Sequence, residues 1–84
     1  MITDELLRQW RKDRDKAVRS LNVSTFKKMY YKYKRVGIYQ LELPDDYIIE
    51  ISMRKMLYHL PGASEHEKRM AADWLKIHGC TTEM

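Results

Sequence analysis

At 84 residues, 44% of them hydrophobic, and with a formal charge of +4, the chain is expected to build one small folded domain with a modest core. A large enclosed active site would have to take residues from that core. The only cysteine, Cys80, excludes a disulfide framework within the chain, no apolar run approaches membrane-spanning length and no signal-peptide pattern opens the sequence, so a cytoplasmic protein is expected.

The first helix is expected over about residues 4–20. Thr3 suits its N-cap, and Asp4 and Glu5 suit the positive end of the helix dipole. Leu6, Leu7, Trp10, Ala17, Val18 and Leu21 fall on one side. Most of the charge run between them faces water, but Arg14 points into the apolar side. It needs a carboxylate, for which Asp45, Asp46 and Glu50 are options, or it serves as an anion site.

The second helix is expected over 23–36. An Asn22 cap places Leu21 and Phe26 at the two positions of a hydrophobic staple, and Gly37 suits a left-handed stop. In residues 38–43, Tyr39, Leu41 and Leu43 alternate with Gln40 and Glu42. No second strand offers itself as a partner. The segment therefore reads as an extended connector packed on the helices, in preference to an edge that pairs in a dimer.

Pro44, Asp45 and Asp46 open a third helix over 45–60. Ile48, Ile49, Met53, Met56 and Leu60 cover one side and Tyr47, Ile51 and Tyr58 another, which predicts a central helix buried by several neighbours. After the Leu60-Pro61-Gly62-Ala63 turn, Ser64 and Glu67 match a capping box. The fourth helix, 65–78, carries the stripe Met70, Ala71, Trp74 and Ile77. Gly79 stops it, and residues 80–84 should fray. The expected fold is all-α, a compact four-helix single domain with one short extended segment at about 38–43.

No enzymatic constellation stands out, and a non-enzymatic protein without cofactor or metal is expected. The three glycines are isolated at helix ends or turns, so no phosphate loop exists. Ser52 and His59 share a helix face without a third group, and the histidine reads as a hydrogen-bonded core residue. His66, His78 and Cys80 lack the spacing of a structural zinc site. A helix-turn-helix built from the last two helices would present Glu65 and Glu67 to phosphates, which repel them.

The segment Phe26 to Arg35 is the richest in binding chemistry. It holds five cations, three tyrosines, a phenylalanine and a methionine, and no acid. On a helical wheel Phe26, Met29, Tyr30, Tyr33 and Val36 share one arc, the expected core stripe. Lys27, Lys28, Lys32, Lys34 and Arg35 lie opposite, with Tyr31 in their midst. Cations attract acidic partners, and an aromatic among them suits a protein interface or a stacked base. Charge supports the same face. Residues 1–36 hold eleven Lys/Arg and four Asp/Glu, a balance of +7, whereas residues 37–84 hold five and eight, a balance of −3. The alternative use of that asymmetry is attraction between the two halves of the fold.

Two blocks give the chain a family look. One is Leu6-Leu7-Arg8-Gln9-Trp10-Arg11-Lys12-Asp13-Arg14-Asp15-Lys16-Ala17-Val18. The other is Leu43-Pro44-Asp45-Asp46 with Glu50-Ile51-Ser52-Met53-Arg54-Lys55-Met56-Leu57-Tyr58-His59-Leu60. In these the chain resembles the small uncharacterised helical accessory proteins of prophages in Gram-positive bacteria. The resemblance implies a phage protein acting in the host bacterial cytoplasm, often by blocking a host factor such as a CRISPR effector nuclease, and it carries no site residue. The expected function is docking of Lys27, Lys28, Tyr31, Lys32, Lys34 and Arg35 onto an acidic surface or a nucleic-acid-processing host protein, by a monomer or homodimer. The alternative is a small basic nucleic-acid-binding module.

Overall fold

The computed structural model describes residues 1–84. It is all-α, with four helices and no strand: α1 (Asp4–Ser20), α2 (Val23–Arg35), α3 (Asp46–His59) and α4 (Glu65–Ile77). They fall into two units, residues 1–43 and 44–84, with α1 packed on α2 in the first and α3 on α4 in the second.

In the first unit the expected caps form. The Thr3 hydroxyl accepts from the Leu6 amide and the Asn22 side chain from the Thr25 amide, each satisfying a donor that the helix itself leaves open. Only Leu21 and Asn22 separate α1 from α2. Leu21 takes a left-handed conformation, φ 53°, which reverses the chain at once. Gly37, at φ 91°, ends α2. The Ile38 amide reaches the Tyr33 carbonyl at 3.0 Å and the Gly37 amide the Lys34 carbonyl at 3.1 Å, a Schellman pair that a side chain at Gly37 would strain.

Ala17, Val18, Phe26, Met29, Tyr30 and Tyr33 are the buried core of this unit. Val36, placed by its spacing in the core stripe, is instead 45% exposed. It lies past the last helical residue and at the edge of the apolar arc.

Residues 38–43 form a connector without strand pairing. The Tyr39 ring stacks on Tyr30, centroids 4.0 Å apart, and stands edge-on to Trp10. The Trp10 indole N–H donates to the Tyr39 hydroxyl at 2.8 Å, and Tyr39 in turn donates to Met29 Sδ at 3.7 Å. The Tyr30 hydroxyl donates to the Leu41 carbonyl.

In the second unit Asp45 caps α3 by accepting from the Ile48 amide, and Ser64 and Glu67 make the full capping box of α4. The core is Ile49, Met53, Leu57, Leu60, Ala71 and Leu75. The expectation that apolar residues are buried around most of α3 holds in part. Ile49, Met53, Leu57 and Leu60 are buried within one arc of about 80° at 100° per residue, Ile51, Met56 and Tyr58 are half-buried, and Tyr47 and Ile48 in the first turn are exposed.

The stripe expected on α4 is corrected. Ala71 and Leu75 are buried, but Met70 is 54% and Ile77 81% exposed. Leu75 lies about 40° to one side of Ala71, whereas Met70 and Ile77 lie about 100–120° to the other. The tail does not fray freely. Gly79, at φ 72°, completes a second Schellman pair, with the Cys80 amide on the Leu75 carbonyl at 2.8 Å, and His59 Nε2 donates to the Thr82 carbonyl at 2.7 Å.

Candidate docking face on the second helix

α2 is anchored along one side. Phe26, Met29, Tyr30 and Tyr33 are buried, so the opposite side faces outward. Tyr31 sits at its middle and is 41% exposed. Its ring stands edge-on to buried Tyr30 at 5.9 Å, so one exposed aromatic is braced by a buried one. Its helical neighbours three and four residues away are Lys27, Lys28, Lys34 and Arg35. All six residues singled out in the sequence therefore lie on one side of one helix.

They are not equivalent. Lys28 and Arg35 are exposed, and Lys27 is half-buried. Lys32 and Lys34, at the two edges, hold carboxylates of their own chain. Lys32 lies 3.4 Å from Asp13 and over the Tyr33 ring at 5.3 Å. Lys34 pairs with Glu42 of the connector. The open centre is thus Lys28, Tyr31 and Arg35, with Lys27 beside them.

The two carboxylates differ in how firmly they are tied. The Asp13 carboxylate accepts from the Tyr33 hydroxyl, from Lys32 and from Gln9 Nε2 at 3.0 Å. These bonds, that of Tyr33 foremost, hold Asp13 below the ordinary carboxylate value. Burial, with Asp13 alongside, pushes the Tyr33 phenol up to about 12. The Glu42 carboxylate has its hydrogen bond to Lys34, whose ammonium is raised chiefly by that contact.

Other residues weighed in the sequence are placed as follows. Arg14 bonds to Asp15, the next residue, at 3.1 and 3.2 Å and lies 4.8 Å over the Trp10 ring. Its ion pair is thus made with a carboxylate outside the three named for it. His59 is exposed and bonded to the tail, not a core residue. His78 stacks on Trp74 at 3.9 Å with Tyr47 3.4 Å from its Nδ1, and the Cys80 thiol meets the His78 carbonyl at 3.6 Å. His66 is exposed in the first turn of α4.

One cluster escaped the sequence reading. Tyr47, Arg54, Trp74 and His78 gather on the second unit, with the Arg54 guanidinium 4.7 Å over Trp74 and the Tyr47 ring 6.4 Å from it. The i, i+7 spacing of Tyr47 and Arg54 and the i, i+4 spacing of Trp74 and His78 were its available signals.

No helix is long and apolar enough to cross a membrane. Compared with protein-family models, with curated proteins and with solved structures, the chain matches none.

Proposed function

We propose that this chain is a non-enzymatic binding protein that docks the α2 face onto an acidic surface of a host protein. Lys28, Tyr31 and Arg35 form the centre of that face, and Lys27, Lys32 and Lys34 surround it. The reading rests on one observation: Tyr31 is exposed among four cations on a helix whose other aromatics are buried. Aromatic and arginine side chains concentrate at the energetic centres of interfaces, and cations around them steer an acidic partner. The phage setting rests on the resemblance of residues 6–18, 43–46 and 50–60. Within it the partner is a nucleic-acid-processing defence protein of the bacterial cytoplasm, of which a CRISPR effector is one kind, and the protein is its inhibitor.

The test is capture from bacterial lysate by the immobilised chain, with and without nuclease. Wild type should retain a protein partner after nuclease treatment. The double variant Tyr31→Ala, Lys28→Glu should lose it while its helical circular dichroism is unchanged. Undiminished capture by the variant would place the interface elsewhere.

A second reading has the same face bind nucleic acid directly, with Tyr31 stacked on a base. It is favoured by the charge of residues 1–43, which hold eleven Lys/Arg against five Asp/Glu, a balance of +6. Binding would then fall linearly on a log–log plot against salt, with a slope set by the phosphates contacted. Absence of retention on DNA or RNA at low salt eliminates it.

A further inference from the structure

The docking face carries a carboxylate of its own chain at one edge, on Lys34, and that carboxylate is placed to leave. The connector is fixed as far as Leu41, by the Tyr39 ring on Tyr30, the Trp10 bond to Tyr39 and the Tyr30 bond to the Leu41 carbonyl. These anchors set Glu42 beside Lys34, eight residues back along the chain. The pair is asymmetric. The Lys34 side chain is 26% exposed and the Glu42 side chain 77%. The lysine is a half-buried, positioned cation, whereas its carboxylate stands in water with little packing to lose.

Asp13, on Lys32 at the opposite edge, is the contrast. It is also the acceptor for buried Tyr33 and for Gln9, so releasing it would strand a buried phenol. One edge is locked and the other is exchangeable.

From this, and resting on the docking-face reading, we infer that Glu42 is a built-in competitor for the site. An acidic polypeptide that seats on Lys28, Tyr31 and Arg35 takes over Lys34 by displacing the Glu42 carboxylate, one carboxylate exchanging for another on the same ammonium. The partner chemistry is a carboxylate beside a group that covers Tyr31. The connector weakens binding until that partner arrives.

The probe is short labelled poly-L-glutamate, titrated at low salt into the full chain and followed by fluorescence anisotropy. Glu42→Gln should tighten binding by about two- to fivefold, the range that an exposed ion pair's strength allows. Part of any gain reflects one negative charge fewer, so the same change is made in a Lys34→Ala background, where the gain should largely vanish. Glu5→Gln, on the first turn of α1, should change little. An unchanged affinity for Glu42→Gln, or an equal gain without Lys34, overturns the competitor role.

Failure of the docking face itself looks different. In that case the double variant Tyr31→Ala, Lys28→Glu would bind the probe as well as wild type does. Absence of binding by wild type and Glu42→Gln alike overturns both. A single-stranded oligonucleotide serves as the second probe. Tighter binding to it than to poly-L-glutamate makes phosphate the ligand and overturns the acidic-polypeptide assignment.

Discussion

In residues 1–43 the interior is aromatic and directional: Tyr30 and Tyr39 stack, Trp10 bonds to Tyr39, and buried Tyr33 bonds to Asp13. In residues 44–84 the interior is Ile49, Met53, Leu57, Leu60, Ala71 and Leu75, and the directional contacts between α3 and α4, Arg54 on Trp74 and Tyr47 on His78, lie outside it. The first unit ties its Trp and Tyr polar groups into part-buried hydrogen bonds and keeps a cationic face outside. The second keeps its aromatic and polar chemistry, Tyr47, Arg54, Trp74 and His78, near the surface. Directional bonds fix which side of a helix is free, whereas aliphatic packing leaves that to the fit of many small contacts.

The contrast can be broken most directly by truncation. Leu75→Ala removes a fully buried side chain and should cost about 2–5 kcal/mol in urea unfolding followed by circular dichroism. Tyr33→Phe keeps the ring and removes one hydrogen bond to a carboxylate that retains Gln9 and Lys32, so it should cost about 1–3 kcal/mol. If Tyr33→Phe left stability unchanged, the division into a directional and an aliphatic interior would not stand.

The same bond predicts a pH dependence in the first unit. Tyr33 keeps its proton to about pH 12 in the folded chain, against an ordinary value of 10.0. Between those values the folded state binds more protons than the unfolded one, so stability is present below pH 10 and falls as pH rises to 12. At the acid end Asp13 is held below its ordinary value of 3.8. The unfolded chain therefore takes up that proton first, and stability falls as acid is added below about pH 5. Tyr33→Phe should abolish the tyrosine's contribution and weaken the acid one, as read from unfolding midpoints across pH.

Smaller changes sharpen the picture of the second unit. Ser64→Ala removes the acceptor for the Glu67 amide and should cost about 0.5–2 kcal/mol, visible as a lower urea midpoint. Ile77→Gln, on a residue that helical spacing places in the stripe, should change stability by no more than about 0.5 kcal/mol. A loss of about 2 kcal/mol would return Ile77 to the core.

What was legible in the sequence was local. Thr3, Asn22, Asp45 and Ser64 cap helices through their own neighbours' amides, so each start could be read within a few residues. The basic face of α2 was legible because its charged and apolar residues separate cleanly about a single helix. The buried arcs of α3 and α4 were not, because apolar residues there exceed what one arc can hide, and spacing does not say which of two candidate stripes a neighbour covers.

The pairing within the candidate site was equally hidden. Lys32 meets Asp13 from nineteen positions away, and Glu42 returns to Lys34 on a connector whose Tyr39 docks beside Trp10, twenty-nine positions earlier. Such contacts come from tertiary packing, which no local pattern records.

The chain of rings in the first unit also has an optical consequence. Tyr31 touches Tyr30, Tyr30 stacks on Tyr39, and Tyr39 meets the indole of Trp10, at centroid separations of 5.9, 4.0 and 6.0 Å. Excitation of these tyrosines passes efficiently to an indole so close. In a Trp74→Phe variant Trp10 is the sole tryptophan, and a partner seated on Tyr31 should alter its emission through three ring contacts. Trp10 is thus an intrinsic fluorophore linked by ring contacts to the proposed docking face, and binding there can be tested without attaching a label.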